Sequence, residues 1–186
     1  MKEFAKSYDD DKSMEGGGDF APSFGIFRAK IKDIVPPKNG EDFICKVSNG
    51  GNGNPFISAR VIFEYKNEAG EVKNKSIFVK FGLWGMDLLP QLLEALDITK
   101  KDERSALVGD FKQIIGADVE IAVTAKIPTE YEMSMGAKVF GEYLLGNYQG
   151  KDHIASEITM VSSFGGCKNF FDKEKEEKIR AAFREN

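Results

Sequence analysis

Gly25-Ile26-Phe27-Arg28-Ala29-Lys30-Ile31-Lys32-Asp33-Ile34-Val35 is the stretch on which the fold turns. From Phe27 to Lys32 apolar and cationic residues alternate, the period of a strand with one buried face. Phe27, Ala29 and Ile31 then point one way, and Arg28, Lys30 and Lys32 the other. Two further stretches repeat the period. Ser58–Lys66 sets Val61, Phe63 and Tyr65 against Arg60, Ile62 and Glu64, and Ser76–Leu83 sets Ile77, Val79 and Phe81 against Ser76, Phe78 and Lys80. If the three strands pair, their non-core face carries Arg28, Lys30, Lys32, Arg60, Phe78 and Lys80. Cations around an exposed ring suit a single nucleic-acid strand, because the charges track phosphates and the ring stacks a base. The competing explanation is a solvated sheet face whose lysines blunt edge pairing, and from alternation alone it is the commoner one.

Length and composition set the frame. The 186 residues suffice for one domain with a full core, and 41% hydrophobic with 30% charged residues is ordinary for a globular chain. No run is long and apolar enough to span a bilayer, and the polar, acidic stretch Met1–Phe20 does not read as a signal peptide. Cys45 and Cys167 lie far apart without metal or redox spacing, so a reduced, cytoplasmic protein is expected. A net charge of −4 argues against indiscriminate binding of polyanions over the whole surface. The charge is uneven, however. Residues 1–24 hold six acids against three lysines, whereas residues 25–48 and 60–80 together hold ten cations against six acids. Local potential outweighs the sum when a strand of phosphates approaches.

In chain order, residues 1–22 read as a disordered leader, rich in acids and glycine and poor in anything to bury. Residues 23–164 read as the domain. Its first strand ends at Pro36-Pro37, which cannot continue a ladder. A short strand over 41–47 and a Gly/Asn loop over 48–55 precede the second strand; the loop lacks the Gly-Lys-Ser/Thr of a phosphate-cradling motif. A turn at 66–71 joins strands two and three. Leu88, Leu89, Leu92, Leu93 and Leu96 then form a helical stripe, with Asp87 as expected N-cap and Pro90 in the first turn. Lys100–Ser105 reads as a polar link and Ala106–Ile115 as partly helical. Strand four covers 117–127, an insertion with a flexible tip covers 128–151, and strand five covers 153–161. Residues 165–186 form a tail ending in an amphipathic helix, set off by Gly165-Gly166.

Five strands with a helical segment between the third and fourth predict a mainly β, OB-fold-like five-stranded antiparallel barrel, whose strand two and three face and flanking loops bind oligonucleotides. Lys75 joins the expected phosphate contacts. Trp84, the single tryptophan, together with Tyr131, Lys138, Phe140 and Tyr143 from the insertion, joins the expected interface; each aromatic among them serves equally well as a core residue. His153 stands alone, without the companions a metal needs, and no nucleophile elbow occurs, so no cofactor, metal or enzymatic role is expected. A metal-dependent nuclease is the weakest alternative, since the grouped Asp9-Asp10-Asp11 lies in the leader.

The strand that ends in Phe81-Gly82-Leu83-Trp84, the leucine helix, and the run Asp110-Phe111-Lys112-Gln113-Ile114-Ile115-Gly116-Ala117-Asp118-Val119-Glu120-Ile121 resemble a family of small bacteriophage proteins of long-uncharacterised function. The resemblance covers about residues 24–161. It implies binding of single-stranded DNA in phage replication or recombination, inside the host cytoplasm. The expected partner is single-stranded DNA, with replication or recombination proteins as further candidates and no membrane, and a homo-oligomer is left open. Two features depart from the pattern: the tail interleaves acids with lysines and arginines instead of ending in an acidic segment, and the 128–151 insertion is long. The alternative is a non-enzymatic protein-interaction subunit of a replication or virion assembly.

Overall fold

The computed structural model of the chain describes residues 24–35, 44–46, 55–81, 88–148, 150–169 and 172–184. At its centre is β1 (Gly25–Val35), paired antiparallel on one edge with β3 (Pro55–Lys66) and on the other with β5 (Asp118–Ala125). β2 (Ile44–Lys46) adds a short pairing to the start of β3, and β4 (Val72–Phe81) lies along the whole far edge of β3. β9 (Ser156–Ser162) closes the order on the far side of β5. The path is therefore β4-β3-β1-β5-β9, a curled, mainly β half-barrel of five antiparallel neighbours. Four successive antiparallel steps leave the two outer strands, β4 and β9, running in the same direction.

Parity sorts the side chains. Phe27, Ala29, Ile31, Val61, Phe63, Tyr65, Ile77, Val79, Val119, Ile121 and Val123 all enter one buried cluster. Each large side chain fully removed from water there contributes about 1.5–3 kcal/mol. Tyr65 packs its ring 4.9 Å from Phe27. The alternation of β1 breaks at Lys32, where a bulge shifts the register between Ile31 and Asp33. Ile31 and Ile34 consequently both reach the core with two residues between them. Across the other edge the Gly116 N–H donates to the Ile31 carbonyl at 2.8 Å, and Ile31 N–H donates to Ala117 O at 2.9 Å. Gly116, at φ +89°, makes that approach in a backbone region costly for other residues.

The leucine stripe forms α1 (Leu89–Ala95), with Leu89, Leu92 and Leu93 in the core. Its cap position is Leu88; Asp87 lies outside the described residues. The expected polar link is instead α2 (Lys101–Gly109), whose first turn is held by the Lys100 N–H donating to the Glu103 carboxylate at 3.1 Å. Leu107 anchors it in the core, so one buried leucine and a good cap suffice where no apolar stripe exists. A 3-10 turn at Phe111–Ile114 follows, and Phe111 and Ile114 are buried. α1 touches both β4 and β9. Its Gln91 side-chain oxygen accepts from the Val161 N–H of β9 at 3.1 Å. Further along the seam, Lys75 Nζ of β4 donates to Ser156 Oγ of β9 at 2.8 Å.

The insertion contains a helix and strands. α3 (Glu130–Ser134) is followed by β6 (Val139–Phe140), β7 (Tyr143–Tyr148) and β8 (Lys151–Ile154), which form a three-stranded antiparallel sheet. The expected fifth strand is thereby divided: its first part pairs with β7 and its second, β9, with β5. The break falls at Ala155, whose N–H donates to Leu144 O while its carbonyl accepts from Lys126 N–H. The tail helix α4 (Lys173–Arg184) docks here. Its Ile179 joins Phe24, Ala125, Tyr143 and Ile154 in a second buried cluster, flanked by Phe140, Leu145 and Phe183. Arg180 ties it down, donating to Phe24 O at 2.9 Å with its guanidinium 5.4 Å from the Phe24 ring. Among the described residues no helix is long and apolar enough to cross a membrane.

Candidate nucleic-acid interface

The outer face of the half-barrel is built by the residues that parity excludes from the core. On β4 these include Ser76, Phe78 and Lys80, on β3 Arg60 and Glu64, and on β1 Arg28, Lys30 and Lys32. Phe78 is 47% exposed, stands in register with Arg60, and is two residues from exposed Lys80. Arg60 Nε donates to Ser76 Oγ at 2.9 Å, which directs the guanidinium across to β4. An apolar ring of this size on a wet sheet face, with cations at its sides, is the geometry of a stacking platform.

The β1 row is different, because its cross-strand neighbours are acids. Lys30 stands in register with both Glu64 and Asp118 and lies 3.9 Å from the Asp118 carboxylate. Lys32 reaches Glu64 at 3.0 Å and Asn74 Oδ1 at 3.2 Å. These pairs are exposed and so individually weak, which leaves the lysines open to exchange a carboxylate for a phosphate. Arg28 is in register with Glu120 but does not pair with it. Glu120 is only 8% exposed, and its two oxygens accept from Gly165 N–H at 3.1 Å and Cys167 N–H at 2.9 Å. The turn so fastened carries Phe164 over β1, where the Arg28 guanidinium lies 4.7 Å from its ring centre. Phe164 and Glu120 were absent from the expected interface. The available signals were an aromatic in the polar turn Ser162-Ser163-Phe164-Gly165-Gly166 and an acid, Glu120, on the outer parity of β5.

The remaining expected residues fall elsewhere. Lys75 lies on the core side of β4, in register with Phe63, and reaches across the seam to Ser156; its parity matches Ile77, not Phe78. Tyr143 is 9% exposed in the second cluster, with Lys175 Nζ 5.9 Å from its ring. Burial, then the neighbouring Glu142, then the charge of Glu176 push its phenol up to about 12. Phe140 packs edge-on against Phe183 at 5.4 Å. These two rings join the insertion to the tail helix, Tyr143 buried and Phe140 partly buried. Tyr131, 63% exposed on α3, and exposed Lys138 remain on the surface of the insertion. Trp84 lies outside the described residues.

Where the insertion meets the half-barrel, Lys126 Nζ donates to Glu132 Oε1 at 2.6 Å, with both side chains largely buried. Burial opposes ionisation of Glu132. The hydrogen bond from Lys126, the N–H and hydroxyl bonds of Thr129 and the Lys126 charge outweigh it and hold the carboxyl down at about 2. Thr129 caps α3 reciprocally, its hydroxyl accepting from Glu132 N–H at 3.2 Å. α3 is thus fixed to the end of β5 by charge and capping. Among the described residues no three His, Cys, Asp or Glu side chains stand grouped as metal ligands. In comparisons with protein-family models, curated proteins and solved structures, nothing matches the chain.

Proposed function

We propose that this chain binds single-stranded DNA through the outer face of an OB-type barrel, without sequence preference. The observation that carries the reading is Phe78, half exposed beside Arg60 and Lys80 on neighbouring strands. The strand order β4-β3-β1-β5-β9, with outer strands of like direction bridged by Lys75 and Ser156 and by α1, supports a partly open barrel of that kind. In this reading Phe78 stacks a base, Arg60 and Lys80 hold flanking phosphates, and Lys30 and Lys32 exchange their carboxylate partners for phosphates further along. The phage replication or recombination setting, in the host cytoplasm, rests on the family resemblance alone. No catalytic step is part of the proposal.

The test is fluorescence anisotropy of a labelled oligo-dT titrated with the chain across a salt series. Affinity that falls steeply with salt, with duplex a poor competitor, is expected, because bound phosphates release counterions. No binding at low salt would sink the proposal. A second reading, a protein-interaction subunit of a replication or virion assembly, draws support from the exposed apolar residues Ile127, Tyr131, Met133, Met135 and Val139, which gather on and around α3. It predicts a salt-insensitive protein partner and no oligonucleotide affinity.

A further inference from the structure

We infer that Phe164 is a second base-stacking platform, at the opposite end of the outer face from Phe78; this rests on the single-stranded DNA reading above. Three observations converge. Phe164 is 52% exposed although it belongs to a turn that packs on β5 and β9. One face of its ring is taken by the Arg28 guanidinium at 4.7 Å, within the range of a cation–π contact, which sets a positive charge beside the ring where a phosphate would pass. The turn itself is built: the buried Glu120 carboxylate grips two of its N–H groups, and Cys167 Sγ lies 3.2 Å from Ser162 Oγ. A β-carbon on Gly166 would come within 2.7 Å of the Ser162 side chain, so the chain passes there at the closest distance glycine allows. An exposed ring held this firmly presents one orientation to a ligand and has little conformational freedom to lose on binding.

The two rings also fit one strand. Phe78 is in register with Arg60 and, through it, with Val35 of β1, whereas Phe164 sits over Arg28 on the same strand. Seven residues of β1 and two strand spacings place the platforms about 20–25 Å apart. A single strand spans that distance with several nucleotides, inside the range one OB-type barrel accommodates. The path between them crosses Lys30 and Lys32. The bound strand therefore runs diagonally from the β4 edge across β3 and β1 to the turn after β9.

The test compares wild type, Phe164→Ala, Phe164→Leu and Phe164→Trp, with oligo-dT and with an abasic oligonucleotide of equal length, by anisotropy. Phe164→Ala and Phe164→Leu are expected to lose about 5- to 150-fold in oligo-dT affinity, with the abasic affinity unchanged, and Phe164→Trp to retain it. Wild-type binding of oligo-dT that Phe164→Ala leaves unaltered would overturn the platform and leave the DNA reading standing. Full affinity in Phe164→Leu, or equal losses on the abasic strand, would replace stacking by simple contact and also overturn it. If the wild-type chain binds no oligonucleotide, the DNA reading fails and the platform with it. Unchanged thermal unfolding of all three variants is expected, since the ring is outside the core.

Discussion

The inner and outer faces of the same three strands follow different rules. On the inner face of β3 and β4, and of β1 up to its bulge, one number per residue, its parity, decides its surroundings: Ile31, Phe63 and Val79 share a core because each is odd in step with its neighbours. On the outer face parity says only that a side chain meets water. Its chemistry depends on which residue lies across the ladder, and that partner comes from far away in the chain. Arg60 finds Phe78 and Ser76; Lys30 finds Glu64 and Asp118. Two cations with the same local sequence pattern therefore end in opposite settings, one beside an exposed ring and the other among acids. Burial is a local property of the sequence, whereas surface chemistry is a property of the pairing.

The comparison can be broken most forcefully from inside. Phe63→Ala removes a fully buried ring from the centre of the core and is expected to cost about 3–5 kcal/mol, read as a lower urea midpoint at unchanged slope. A loss under about 1 kcal/mol would show that parity had misplaced it. Glu132→Gln tests whether burial also governs charge at the rim between the faces. Leaving Lys126 without its carboxylate is expected to cost roughly 2–3 kcal/mol at pH 7, below the range of a fully buried pair because water still reaches this one. Because the folded carboxyl is held below its unfolded value, the unfolded chain binds the extra proton between about 4.5 and about 2. The pair's contribution is thus present above that window and lost as the pH falls through it. The variant should show a shallower acid limb in unfolding curves from pH 5 to pH 2, and an unchanged limb would contradict the assignment.

On the outer face the same experiments should move binding and spare stability. Phe78→Ala is expected to weaken oligo-dT affinity by about 1–3 kcal/mol with the melting temperature held. A drop in melting temperature instead would put the ring in the core. The smallest effect tests the acids: Glu64→Gln with Asp118→Asn should tighten oligo-dT roughly 2- to 5-fold by freeing Lys30 and Lys32 and lifting like-charge repulsion, while changing stability by less than about 1 kcal/mol. Weaker binding in that variant would mean that the carboxylates hold the lysines in a productive orientation.

The same contrast explains what the sequence made legible. The strands β1, β3, β4 and β5 and the helix α1 were readable because each has a clean apolar period, and the turn after β3 because Asn67 and Gly70 supply turn chemistry; Asn67 Oδ1 indeed accepts from Glu71 N–H at 2.9 Å. Only the end of α2 was read as helical; its start, 101–105, was taken for a polar link because KDERS has no apolar stripe, and it gains its place through a cap and Leu107. β6 and β7 were missed because strands this short carry too few alternations to outvote their glycines and polar residues, and the end of β8 was read as the start of the fifth strand. The bulge at Lys32 shows in the sequence only as two polar residues, Lys32 and Asp33, between the buried Ile31 and Ile34. Lys75 was legible and misread: counting residues from Ile77 puts it on the core side. For Phe140 and Tyr143 the sequence offered a ligand and a core role alike, and their neighbours Phe183 and Ile179 come from the tail.

Gln91 has a further consequence. A curled sheet that stops short of closure has two bare rims, and such rims are templates on which strands from other molecules add and grow into ribbons. In this molecule the rims of β4 and β9 face each other; α1 lies against both, and a glutamine from it occupies one of the amides through which growth would begin. Gln91 thus covers one β9 amide of the seam and the Lys75–Ser156 bond spans it further along, so both contacts stand where a foreign strand would have to begin.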